Sequence, residues 1–93
     1  MLAGPAIRYS GLLATAVGDY DEAIGLFDAA LPQVGDARPQ VLRLRLDKAR
    51  ALLGRGDATT AAALLTQVRD EADGLGMVVA ATEARRLLGG VSD

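Results

Sequence analysis

Leu42-Arg43-Leu44-Arg45-Leu46-Asp47-Lys48-Ala49-Arg50-Ala51-Leu52-Leu53-Gly54 can be taken as strand or as helix. Its opening residues alternate apolar and charged, the period of a half-buried strand. Over its whole length, Leu42, Leu46, Ala49 and Leu53 recur at steps of four, three and four, which makes one stripe along a helix. The longer pattern decides the matter. It carries the helical period past the alternation, and the alternating part lacks β-branched residues. A helix is predicted from near Pro39, a residue suited to a first helical turn, to Gly54.

Glycine and proline divide the rest of the chain in the same way, giving five predicted helices. The first runs from Pro5 to Val17 and ends at Gly18. Asp19 opens the second, and Glu22 stands at capping-box spacing from it. Ala23, Phe27, Ala30 and Leu31 follow at helical steps, and Pro32 closes this helix or kinks its end. Val34 to Pro39 is a predicted loop. Asp57 caps a fourth helix with Ala61, Leu65, Val68, Ala72 and Leu75 on its inner face, ended by Gly74 and Gly76. The fifth extends from about Met77 to Leu88, turns Met77, Ala81, Ala84 and Leu88 inward, and stops at Gly89-Gly90.

Composition limits what such a chain can do. The 93 residues fit one small domain spanning the whole sequence. With 51% hydrophobic and 3% aromatic residues, the core must be aliphatic, and intrinsic disorder is excluded. There is no Cys and no His. Disulfides, thiol nucleophiles, Cys/His zinc sites and imidazole acid–base chemistry are thereby excluded. A net charge of −2 gives no bulk attraction to nucleic acid or anionic membrane, so neither is an expected partner. No apolar run is long enough to span a bilayer. Met1-Leu2-Ala3-Gly4-Pro5 lacks the basic region and apolar core of a secretory signal, and the expected location is cytoplasmic.

The sequence also repeats. Ala49-Arg50-Ala51-Leu52-Leu53-Gly54 returns as Ala84-Arg85-Arg86-Leu87-Leu88-Gly89, 35 residues on, and Gly18-Asp19-Tyr20 matches Gly56-Asp57-Ala58 at an offset of 38. Two helices per unit in the mid-thirties imply hairpins that cannot bury their apolar faces alone and stack to do so. Small residues set the approach: Gly11 and Ala49 in the first helix of a pair, Ala23 and Ala61 in the second. Gly18-Asp19-Tyr20-Asp21-Glu22-Ala23, followed by Phe27 and Ala30-Leu31, resembles the second half of a tetratricopeptide (TPR) repeat. The resemblance implies an all-α stack of antiparallel hairpins: a first repeat over about 5–34, a second over about 39–75, and a capping half-repeat over 77–90. The wording of the last forty or so residues is also similar to helical repeat regions of large bacterial regulators, among them LuxR-type activators with an ATPase domain and CHAT-type protease-associated proteins.

Reactive constellations are not found. Ser10 and Ser92 have no His to activate them. Gly54-Arg55-Gly56-Asp57 lacks the Gly-Lys-Ser/Thr ending of a phosphate loop and fits an inter-helix turn. Asp19, Asp21 and Glu22 fit helix capping rather than a calcium loop. No catalytic residue, cofactor or metal is expected, and the chain is not expected to be an enzyme.

A binding surface is the better candidate. Arg43 and Arg50 lie one above the other on the third helix, off its apolar stripe. In the TPR pattern these positions face the concave groove, and the resemblance places Arg8, Leu12 and Arg85 at matching positions. Arginine donates in a planar fork suited to carboxylate or phosphate. The partner-binding residues are therefore taken as Arg8, Leu12, Arg43, Arg50 and Arg85, holding an acidic or C-terminal peptide segment. The competing reading is a charged face paired internally with Asp47 and similar groups. TPR domains that clamp terminal carboxylates use Asn and Lys where Leu12 and Leu46 stand here, so that ligand is not implied. Arg45, off the apolar stripe, either covers Leu52 or meets a carboxylate of a neighbouring helix. Val78 and Val79 either contact the fourth helix or form an interface. The expected function is a non-catalytic protein-interaction module, regulatory or scaffolding, with a protein or peptide partner. The alternative is a self-associating assembly module, or a piece of a larger signalling or transcription regulator.

Overall fold

The stretch from Leu42 to Gly54 is helical throughout. The computed structural model describes residues 4–91; Met1 to Ala3 and the Ser92 hydroxyl considered above lie outside them. No strand occurs among the described residues. Five helices follow one another: α1 Gly4–Ala16, α2 Tyr20–Val34, α3 Arg38–Arg55, α4 Ala58–Leu75 and α5 Val78–Val91. Each packs on the next in the chain, and α3 also touches α1 and α5. One layer is thus α1, α3 and α5, and the other is α2 and α4. The thinnest of the dimensions, 37 × 29 × 16 Å, suits two layers with axes about 8–10 Å apart.

The alternation that imitates a strand has its cause here. Two residues along a helix turn through about 200°, so Leu44 points away from Leu42 and Leu46. Leu42, Leu46 and Ala49 join Leu65, Val68 and Ala72 of α4 and Ala81 and Ala84 of α5 in one cluster. Leu44 and Ala51 join a second cluster, with Ile7, Ala14, Ala23, Phe27 and Ala30. α3 is buried from two sides, and its apolar residues supply both.

Three of the four turns share one geometry, the exception being the α2–α3 turn at Gly35. At Gly56 the backbone is left-handed (φ 92°), its N–H donates to Leu53 O at 3.0 Å, and the Asp57 N–H donates to Leu52 O at 2.9 Å. Gly at this position avoids the Cβ penalty of the left-handed region. The same hydrogen-bond pair recurs at Gly18-Asp19 and Gly76-Met77. Asp57 then caps α4 by accepting from Thr60 N–H at 3.2 Å.

Several local expectations need correction. Asp19 precedes α2 but makes no side-chain cap. The capping box with Glu22 does not form; instead a hydrogen bond to Asp19, with the repulsion of two like charges, pushes the Glu22 carboxyl up. Pro32 does not end α2, which continues to Val34. A proline in the last turn withholds one hydrogen bond where few remain to be made. Gly74 lies inside α4, and Gly76 is its cap. Gly89-Gly90 does not stop α5, which runs to Val91. Leu75, placed on the inner face, is 51% exposed, because α4 ends there and the chain turns away. Leu31, Leu53, Met77 and Leu88 are half-buried at the rims of the clusters, while Ala23, Phe27, Ala30, Ala61, Leu65, Val68 and Ala72 are fully enclosed.

The small residues set spacing. A methyl group on Gly11 would lie 2.5 Å from Phe27 Cε1, and Phe27 is fully buried and cannot swing aside. At Gly54 a methyl would strike the Tyr20 ring, where the end of α3 crosses the start of α2. Gly25 is exposed in the middle of α2, and a methyl added there would meet nothing within 4 Å. Gly25→Ala should therefore gain about 0.5–1 kcal/mol through helix propensity and unfolded-state entropy. Gly11→Ala should lose about 1–3 kcal/mol through overpacking despite the same propensity gain. Urea denaturation of both variants checks this, and a gain at Gly11 would show that the Phe27 ring yields.

Candidate functional site

Successive turns of α3 present Arg43, Leu46, Asp47 and Arg50 toward one groove, because these positions recur at helical spacing. Arg8 of α1 enters from one side. Met77 and the start of α5, with Val78, Val79 and Glu83, close the other. The groove encloses about 620 Å³.

Its floor is a charge network. Asp47 is 1% exposed. Its Oδ2 accepts from Arg8 Nε at 2.7 Å, and its Oδ1 accepts from Arg50 Nη1 at 3.2 Å. A carboxylate out of water is costly unless paired and hydrogen-bonded, and two guanidinium groups meet that need here. Arg50 also donates through Nη2 to Glu83 on α5. Arg86, one turn along the same helix, donates to both Glu83 oxygens at 2.6 and 2.8 Å. Hydrogen bonds from Arg86 and then Arg50 pull the Glu83 carboxyl down to about 2.

Arg43 differs from every other basic side chain. Lys48 pairs with Asp28, Arg55 with Asp21 and Asp57, Arg69 with Asp70, and Arg38 and Arg45 with Glu71. Arg85 pairs with Asp73, and Arg8, Arg50 and Arg86 are tied up as described. Among the described residues Arg43 alone has no ion pair, and it is exposed in the groove. Beside it the apolar wall is open to solvent: Val78 is 73% exposed and Val79 85%. Of the residues selected from sequence, Arg8, Arg43 and Arg50 come together. Arg85 is held by Asp73 away from the groove lining, and Leu12 packs at the edge of the cluster around Phe27. Arg45 meets a neighbouring carboxylate, Glu71, at 3.4 Å.

Sequence reasoning missed Glu83 and the Met77 wall as parts of this groove. A local signal marked Glu83, the i,i+3 pairing with Arg86; nothing in the sequence marked its reach across to Arg50. Among the described residues no cluster of three or more acidic side chains is arranged for a metal ion, and no helix is long and apolar enough to cross a membrane.

The helical pairs, the shared turn and the concave groove define a helical-repeat protein. A family model described as tetratricopeptide repeat matches residues 14–82, and the chain belongs to that family. Tetratricopeptide repeats generally serve as protein–protein interaction modules. No curated protein and no solved structure matches the chain.

The ion pairs of Glu83 set a pH dependence. Its ordinary value of 4.5 falls to about 2 in the folded protein, so between these pH values the unfolded chain binds more protons. The stabilisation is fully present above pH 4.5 and is lost as pH falls through 2. Thermal melts of wild type and Glu83→Gln should differ at neutral pH and converge toward pH 2; a constant gap would show that the pairs contribute nothing.

Proposed function

We propose that the chain is a non-catalytic interaction module whose groove takes a peptide segment carrying a carboxylate beside aliphatic side chains. The observation that carries this reading is Arg43, the one basic side chain among the described residues without a carboxylate of its own, set next to exposed Val78 and Val79. Three groove guanidiniums, Arg8, Arg43 and Arg50, stand against two carboxylates, Asp47 and Glu83, leaving one excess positive charge. The valines supply apolar area, and Arg43 supplies register and charge preference. A regulatory or scaffolding role fits such a surface.

A short fluorescein-labelled peptide alternating glutamate and leucine is a suitable probe. Arg43→Glu should weaken its binding about tenfold or more, with helicity unchanged by circular dichroism. A peptide alternating glutamine and leucine should bind more weakly to the wild type. Equal binding of the first peptide to wild type and Arg43→Glu would overturn the reading.

A second reading, self-association, is favoured by α1 and the residue that follows it. Tyr9, Leu13 and Val17 recur at steps of four and are 64%, 51% and 80% exposed, forming an uncharged stripe. If chains pair through it, sedimentation velocity should show concentration-dependent mass that Leu13→Glu abolishes; a strict monomer at high concentration removes this reading.

A further inference from the structure

Arg50 divides its guanidinium between two helices. Nη1 reaches Asp47 on its own helix at 3.2 Å, and Nη2 reaches Glu83 on α5. The two carboxylates differ in placement. Asp47 is 1% exposed and belongs to the floor, whereas the Glu83 side chain keeps 24% exposure at the groove wall. Asp47 also has Arg8 as a second partner, and Glu83 has Arg86. If Arg50 let go of Glu83, the carboxylate would keep the Arg86 fork, so the contact can open without stranding a charge. The Arg50 Nη2 that Glu83 takes lies on the same helix face as unpaired Arg43, two turns away.

We propose that Glu83 acts as a built-in stand-in for a partner carboxylate, occupying the outward-facing Nη2 of Arg50 and competing with acidic segments for the groove. This rests on the groove reading above and deepens it. In the free protein only Arg43 offers an open guanidinium. A partner with two suitably spaced carboxylates takes Arg43 with one and displaces Glu83 from Arg50 with the other. Glu83 thereby sets how acidic a segment must be to bind, and ties that choice to the position of α5.

The glutamate–leucine and glutamine–leucine peptides test this by fluorescence anisotropy. Removing the internal carboxylate raises the excess groove charge from one to two. Glu83→Gln should tighten the acidic peptide about two- to fivefold, the range of an exposed to half-buried ion pair, steepen its salt dependence, and leave the glutamine peptide unaffected. In an Arg50→Gln background the same substitution should give no tightening, since the two residues act as a pair. Equal tightening of both peptides would overturn the proposal by showing that α5 has merely loosened, and tightening of the acidic peptide that persists without Arg50 would overturn it by showing that groove charge alone is at work. If wild type binds the acidic peptide and loses it on Arg43→Glu, yet Glu83→Gln changes nothing, the groove reading stands and the competition falls. Binding to none of the variants removes both.

Discussion

The structure depends on α3 being buried from two sides at once. One cluster draws Leu42, Leu46 and Ala49 from it, and the other draws Leu44 and Ala51. Neither hairpin has another helix that could enclose it from that side. The remaining directions on α3 are few, and they are where charge is placed. Arg45 and Arg38 go to Glu71, Lys48 goes to Asp28, and Arg43, Asp47 and Arg50 face the groove. A central helix with two apolar faces must put its polar residues in the gaps, and one such gap is the concave surface.

This also explains what the sequence could and could not tell. The helices were legible because glycine turns and apolar steps are local properties, and the repeat offset gave a second, independent reading of the same turns. The errors are local as well. Asp19 and Asp57 both precede helices with nearly the same backbone angles, yet only Asp57 caps, and a sequence pattern shared by the two cannot separate them. Pro32 and Gly89-Gly90 are strong breakers in an isolated chain, but lie in the last turns of α2 and α5, where few hydrogen bonds remain to be lost.

The groove was half legible. Helical spacing brought Arg43 and Arg50 together, and the family resemblance added Arg8. Neither consideration separates a free guanidinium from a satisfied one, because that depends on which carboxylates tertiary packing brings near. Arg85 occupies an equivalent place in the repeat and is spent on Asp73. Arg50 is spent twice over, and Arg43 not at all. The groove therefore combines two arrangements that the sequence presented as alternatives. Arg8 and Arg50 pair internally through Asp47, whereas Arg43 keeps its guanidinium open.

The two carboxylates of the groove do different physical work. Asp47 is enclosed, and its partners Arg8 and Arg50 approach from different helices, so it fixes α1 against α3. Glu83 stands at the rim and links α5 to α3 through Arg50. Beyond that link, α5 packs Ala81 and Ala84, with half-buried Ala80, Leu87 and Leu88 beside them, on the cluster it shares with α3 and α4, and Arg85 ties it to Asp73 of α4. The helix that carries the open valine wall is thus tied to α3 by an ion pair at the groove rim. On the proposal above, a ligand that engaged Arg50 would act on the wall it binds, because the guanidinium that would meet its carboxylate is the one that joins α5 to α3.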